Sequence, residues 1–118
     1  MEHQLIMKNK IVLVPFPFDD LTDSKVRPAL CLTDTISNYD HIVISFITSQ
    51  LPKANESTDL PIFTTDMDFK QTGLKVDSAI RLHRLVTIPK YLIQRQLGIL
   101  LTSYRAILEQ KLRDLFEL

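Results

Sequence analysis

KIVLVPFPFDDLTDSKVRPALCLTD (Lys10–Asp34), a break at SNYD, and HIVISFITSQ (His41–Gln50) form the stretch that decides the fold. Two apolar runs, Ile11 to Phe16 and Pro28 to Thr33, flank a polar segment from Asp19 to Lys25. A third run, Ile42 to Ile47, ends in the hydroxyl and amide cluster Thr48, Ser49, Gln50. Short runs of β-branched and aromatic residues bounded by turn formers read as strands.

Two residues at strand ends stand out. Arg27 precedes a proline, which pushes its backbone out of the α region into an extended conformation. Pro28 has no N–H and suits the first residue of a strand, so Arg27 is expected at the strand entrance beside the polar loop. A guanidinium there is better placed to meet an anion than to join a core. In the third strand, period-2 alternation puts Ile42, Ile44, Phe46 and Thr48 on one face, three apolar side chains leading to one hydroxyl. The ordinary alternative is a plain strand threonine followed by a loop that opens at Ser49 and Gln50.

Working outward, Leu51 to Asp59 is rich in turn formers and reads as an exposed loop. Leu60 to Thr64 is a short strand, and Pro61 marks it as an edge. Asp66 to Gly73 reads as a turn or one short helical segment. Val76 to Leu82 and Leu85 to Ile88 read as two strands, with Pro89 opening a helical turn through Ile93. The last segment is the clearest helix: Thr102 or Ser103 can cap it, and Tyr104, Ile107, Leu108, Leu112, Leu115 and Phe116 recur at helical spacing. Several short strands and one terminal helix favour a small, largely antiparallel β-barrel with helical decoration.

The 118 residues contain no internal repeat or linker and read as a single domain, 1–118. No apolar run reaches the roughly 20 residues needed to cross a membrane, and Met1 to Lys10 has no apolar signal core, so the expectation is a cytoplasmic protein without a membrane partner. Cys31 is the single cysteine and sits in an apolar run, as a small core residue would. His3, His41 and His83 have no metal-ligand spacing, so neither a metal nor a cofactor is expected.

Fourteen basic and fourteen acidic residues cancel, which argues against a uniformly basic surface. The charges are unevenly spread. Residues 15–68 carry three basic and nine acidic side chains, a balance of −6, whereas residues 69–95 carry six basic and one acidic, a balance of +5. The second segment could supply a phosphate-binding patch or simply a solvated charged face.

Taken in order, VLVPFPFDDLTDSKVRPALCLT, FITSQ and VDSAIRLHRLVTI resemble the MazF/PemK family of toxin–antitoxin endoribonucleases, over about Lys10 to Leu100. The resemblance implies an SH3-like barrel and a homodimer that binds single-stranded RNA in a groove at its interface, with a cognate antitoxin protein as partner. It makes Arg27 and Thr48 the catalytic pair, and Ser24, Lys25, Ser49, Gln50, Arg81 and Arg84 candidates for binding RNA. Such cleavage uses the 2′-hydroxyl of the substrate, so the protein must orient, move protons and stabilise charge on phosphorus. Arg27 suits the last task because its donors match phosphate oxygens, although a pKa above about 12 makes it a poor acid. The chain departs from the family at Lys8-Asn9-Lys10, where many members carry Arg-Gly-Asp, and at Val86, where many carry Arg. Arg81 and Arg84 lie close enough in sequence to replace that charge. The competing readings are a non-enzymatic, CcdB-like toxin that binds a protein, and a small-barrel binding module.

Overall fold

The computed structural model describes residues 6–15 and 25–118. Six strands, β1 (Lys10–Pro15), β2 (Val26–Cys31), β3 (His41–Thr48), β4 (Asp59–Ile62), β5 (Ser78–Pro89) and β6 (Arg95–Ile99), precede one helix, α1 (Thr102–Phe116). They form one antiparallel sheet in the order β4-β5-β3-β2-β1-β6, curled into a half-barrel with the helix at the end of the chain. This is the mainly β architecture with a C-terminal helix that the sequence leads one to expect. β4 is an edge strand, as Pro61 requires.

Strand alternation sorts the apolar side chains onto two faces. One cluster gathers Val12, Val14, Ala29, Cys31, Ile42, Ile44, Phe46 and Ile88. The other gathers Ile11, Leu30, Ile47, Leu60, Ile62, Ile80 and Leu82, and is covered by Tyr104 and Leu108 of α1. The Tyr104 hydroxyl donates to Asp66 Oδ2 at 2.9 Å, and burial together with this carboxylate raises the phenol's pKa above its ordinary value. The helical stripe is narrower than its spacing suggests, because Ile107 and Phe116 are about half exposed. Neither Thr102 nor Ser103 caps α1: the N-cap is Leu101, without a side-chain hydrogen bond.

Two local features of the sheet differ from the sequence reading. First, β5 is one strand and not two. Between its pairs with Ser45 and Ile47, β3 contributes only Phe46, whereas β5 runs from Leu85 back to Ile80 through Arg84, His83, Leu82 and Arg81. The interruption legible at His83 and Arg84 is therefore a bulge, and pairing with β4 from Arg81 to Ser78 keeps the strand in the sheet.

Second, β6 has no counterpart in the sequence reading. It pairs only with β1, Arg95 and Gln96 are exposed, and its alternation is weak. Its Gly98 allows close packing: a Cβ there would come within 2.2 Å of the Gln71 carbonyl oxygen, in the 3-10 turn Lys70–Thr72 that occupies the expected turn before Gly73. The chain turns into β1 through Asn9 at φ 72°, a left-handed position that Asn tolerates. Asp34 fastens this turn, its Oδ1 accepting the N–H groups of Met7 and Lys8 at 2.9 Å each, and these bonds hold its carboxyl below the usual range.

Candidate functional site

The site lies where β2 and β3 part. β2 stays paired with β1 as far as Pro15↔Val26, but its pairing with β3 ends at Ala29↔Phe46. Pro28 follows that last pair and has no N–H to offer a ladder. Strand β2 thus starts at Val26, and not at Pro28 as the sequence suggests, because β1 carries the pairing past the proline. Continuing the β2–β3 register two places beyond Ala29↔Phe46 sets Arg27 opposite Thr48. Both lie on the face of the first apolar cluster, at its end.

A cavity of about 210 Å³ opens there. Phe46 and Ile47 form its apolar part, and Arg27, Thr48, Gln50, Lys53, Arg81 and Arg84 its polar part. Four described lining side chains are cationic and none is a carboxylate or an imidazole, so the cavity favours an anion.

The elements position these groups in different ways. Thr48 Oγ1 accepts the Gln50 N–H at 3.0 Å, which closes a turn directly after β3 and leaves the hydroxyl proton to donate. A 3-10 turn, Leu51–Lys53, with a proline in its first turn then folds Lys53 back to the cavity. Arg81 enters from the β5 bulge, with its Nε donating to Asp59 Oδ1 at 3.0 Å. Arg84, on the same bulge, is exposed.

Of the residues singled out in the sequence, Arg27, Thr48, Gln50, Arg81 and Arg84 meet in this cavity. Ser49 and Lys25 are exposed and do not line it, and Ser24 lies outside the described residues. The basic segment 69–95 is not one patch at the cavity, since only Arg81 and Arg84 of its six cations line it. Sequence reasoning missed Lys53 and Asp59 by treating Leu51 to Asp59 as an exposed loop. The available signal was Pro52-Lys53, one residue beyond the hydroxyl and amide cluster, since proline opens helical turns.

Other chemistry has less footing. Cys31 is fully buried, and desolvation pushes its thiol up to about 12, so the nucleophilic thiolate is scarce near neutrality. His83 Nδ1 lies 2.6 Å from Thr58 Oγ1, and His41 stacks on Tyr39 with ring centroids 5.6 Å apart. Among the described residues no group of three His, Cys, Asp or Glu side chains could hold a metal ion, and no helix is long and apolar enough to cross a membrane.

A family model described as "PemK-like, MazF-like toxin of type II toxin-antitoxin system" matches residues 7–116. The chain belongs to this family. Among solved structures, the PemK/MazF chain is similar to the Mycobacterium tuberculosis toxin MazF-mt6, with 23% identity and a TM-score of 0.71 over 92% of this chain and 97% of that one. It is similar to a second structure described as an Mtb toxin, with 24% identity and a TM-score of 0.59 over 75% of this chain and 90% of the other. A third, an endoribonuclease in complex with its cognate antitoxin from a mycobacterial species, shares 11% identity and a TM-score of 0.67 over 95% of this chain and 93% of that one. At these identities the likeness is one of fold. No curated protein sequence matches.

Proposed function

We propose that this PemK/MazF-family toxin is a sequence-selective, metal-independent endoribonuclease that cuts single-stranded RNA through the substrate's own 2′-hydroxyl. The observation that carries the reading is the convergence of Arg27 and Thr48, from two strands that separate at this point, on one cavity with further cations. A charge-dense oxyanion develops on phosphorus as the 2′-oxygen attacks and the 5′-oxygen leaves. The guanidinium of Arg27 donates to its oxygens, stabilising the transition state more than the ground state. Thr48 donates its hydroxyl proton to the same phosphate and aligns the reacting group. The 2′-oxygen bonds to phosphorus and gives up its proton to water, the bond to the 5′-oxygen breaks and that oxygen takes a proton from water, leaving a 2′,3′-cyclic phosphate and a 5′-hydroxyl.

Gln50, Arg81 and Arg84 then hold the RNA beside the cut, Lys25 and Ser49 contact it from outside the cavity, and Ser24 also binds it. The chain acts as one cytoplasmic domain and as a homodimer, with the RNA groove along the dimer interface. An antitoxin whose acidic or amphipathic tail covers the cations of the groove silences it. The antitoxin-bound mycobacterial endoribonuclease of the same fold supports that pairing.

Incubation of the purified protein with a long single-stranded RNA in EDTA, followed by mapping of the new ends, tests the reading. Discrete cuts ending in cyclic phosphate are expected. An RNA left intact, with and without Mg²⁺, would favour a protein-binding toxin instead.

A further inference from the structure

Asp59 lines none of the cavity but bonds one of its cations. It is 4% exposed, and both its oxygens are engaged: Oδ2 accepts the Glu56 N–H at 2.9 Å and Oδ1 accepts Arg81 Nε at 3.0 Å. The first bond, with the Asp59 N–H donating to the Glu56 carbonyl at 3.0 Å, closes the end of the loop whose other end carries Lys53. The second takes the guanidinium nitrogen nearest the backbone, so the terminal Nη groups of Arg81 remain for a ligand. The carboxylate, from β4, holds the Arg81 side chain by the same kind of bond that an anionic ligand forms.

The walls are distinct. β2 and β5 flank β3 on opposite sides, so Arg27 and Arg81 spring from strands about 10 Å apart, two strand spacings of roughly 4.8 Å. Arg27 faces Thr48 across the β2–β3 fork, whereas Arg81 comes from β5 on the other side of β3, and Lys53 reaches the same cavity from the turn after β3. Four cationic side chains line the cavity, and one of them, Arg81, is paired with Asp59.

We propose that the cavity is a two-phosphate site in which Arg27 and Thr48 take the phosphate to be cut, while Arg81, positioned by buried Asp59, and Lys53 take an adjacent phosphate of the same strand. The ligand class is therefore an oligonucleotide with consecutive phosphodiesters, and Arg81 and Lys53 govern its affinity more than the rate of bond cleavage. This rests on the nucleic-acid reading of the site, and its test is a binding measurement independent of cleavage.

The probe is a fluorescent 2′-fluoro oligoribonucleotide, which lacks the attacking hydroxyl, titrated across a series of salt concentrations. For a single strand, the slope of log K against log salt changes by about 0.7 for each phosphate whose neutralising contact is lost. Arg27→Ala and Arg81→Gln should each flatten the slope by about 0.7, and the double variant by about 1.4. Lys53→Gln, at an exposed position, should flatten it without touching the β5 wall and serves if Arg81→Gln folds poorly. Asp59→Asn should weaken binding to the level of Arg81→Gln, with no further loss when the two are combined, which a purely structural role for Asp59 would not produce.

If Arg27→Ala and Arg81→Gln together flatten the slope no more than either alone, the two share one phosphate and the proposal fails. It fails equally if neither Arg81→Gln nor Lys53→Gln changes the slope, and its positioning half fails if Asp59→Asn binds like wild type. A protein that shows the two-phosphate slopes but leaves cleavable RNA intact would refute the nuclease reading and leave this site standing. One that cuts RNA but shows a one-phosphate slope would do the reverse.

Discussion

The two faces of the sheet are built from the same strands and end differently. On the face covered by α1, the series Leu30 on β2, Ile47 on β3, Ile80 and Leu82 on β5, and Leu60 and Ile62 on β4 stays apolar, and Tyr104 and Leu108 close over it. On the other face three apolar series run out into a polar group at the same end: Cys31 and Ala29 lead to Arg27, Ile44 and Phe46 to Thr48, and Ile88 and Val86 to Arg84. One face is therefore devoted to stability, while the other surrenders its last row to a cavity. The buried carboxylate beside it, Asp59, is matched by bonds to the Glu56 N–H and Arg81, while the cations stand where the core stops.

That contrast can be broken from either side. The largest effect should come from Leu82→Ala, at a fully buried position on the covered face, which removes packing and leaves a cavity. A loss of about 2–5 kcal/mol in unfolding free energy is expected by urea titration; a loss below about 1 kcal/mol would show that this face is not the stability core. Arg27→Ala should do the opposite, keeping the fold while slowing RNA cleavage about 10²-fold or more, the scale for a donor aimed at a developing oxyanion. A variant that cuts within about threefold of wild type would return Arg27 to a structural role.

Thr48→Val keeps the branched shape and removes one hydroxyl, so kcat should fall by about tenfold, the worth of one hydrogen bond made in the transition state. An unchanged kcat would leave Thr48 as the turn former that its bond to the Gln50 N–H already makes it.

The smallest effect concerns the turn into β1. The folded carboxyl of Asp34 titrates below its ordinary 3.8, so its bonds to the Met7 and Lys8 N–H groups stabilise the fold fully above that value and are lost as pH falls through the lower, folded one. The stability difference between wild type and Asp34→Ala, measured against pH, should therefore be present near neutrality and shrink in acid below pH 3.8. A difference that holds constant into acid would contradict this account of the turn.

How far the sequence could be read follows from the range of the forces involved. β2 and β3 were legible because alternation is a local signal, and Arg27 and Thr48 were legible as candidates because each ends a strand. Their meeting in one cavity depends on a register between strands, which neither strand shows alone. Lys53 and Asp59 were not legible as site residues, since their places depend on a turn folding back and on a bulge that only pairing with β3 and β4 creates. The β5 interruption was visible at His83 and Arg84, but local sequence does not separate a gap from a bulge. β6 escaped because it is a short edge strand whose glycine answers a neighbouring turn rather than a period.

The central claim is that this cavity holds a phosphodiester while the RNA attacks itself. It is tested most directly by a chimeric oligonucleotide with one 2′-deoxy sugar immediately 5′ of a mapped cut, assayed in EDTA beside its all-ribose parent. The parent should be cut to a 2′,3′-cyclic phosphate and a 5′-hydroxyl, and the chimera should remain intact at that linkage. Equal cutting of the chimera, or cutting that strictly requires Mg²⁺ and leaves 5′-phosphates, would contradict the account and shift attention to a nucleophile that Arg27 and Thr48 do not supply.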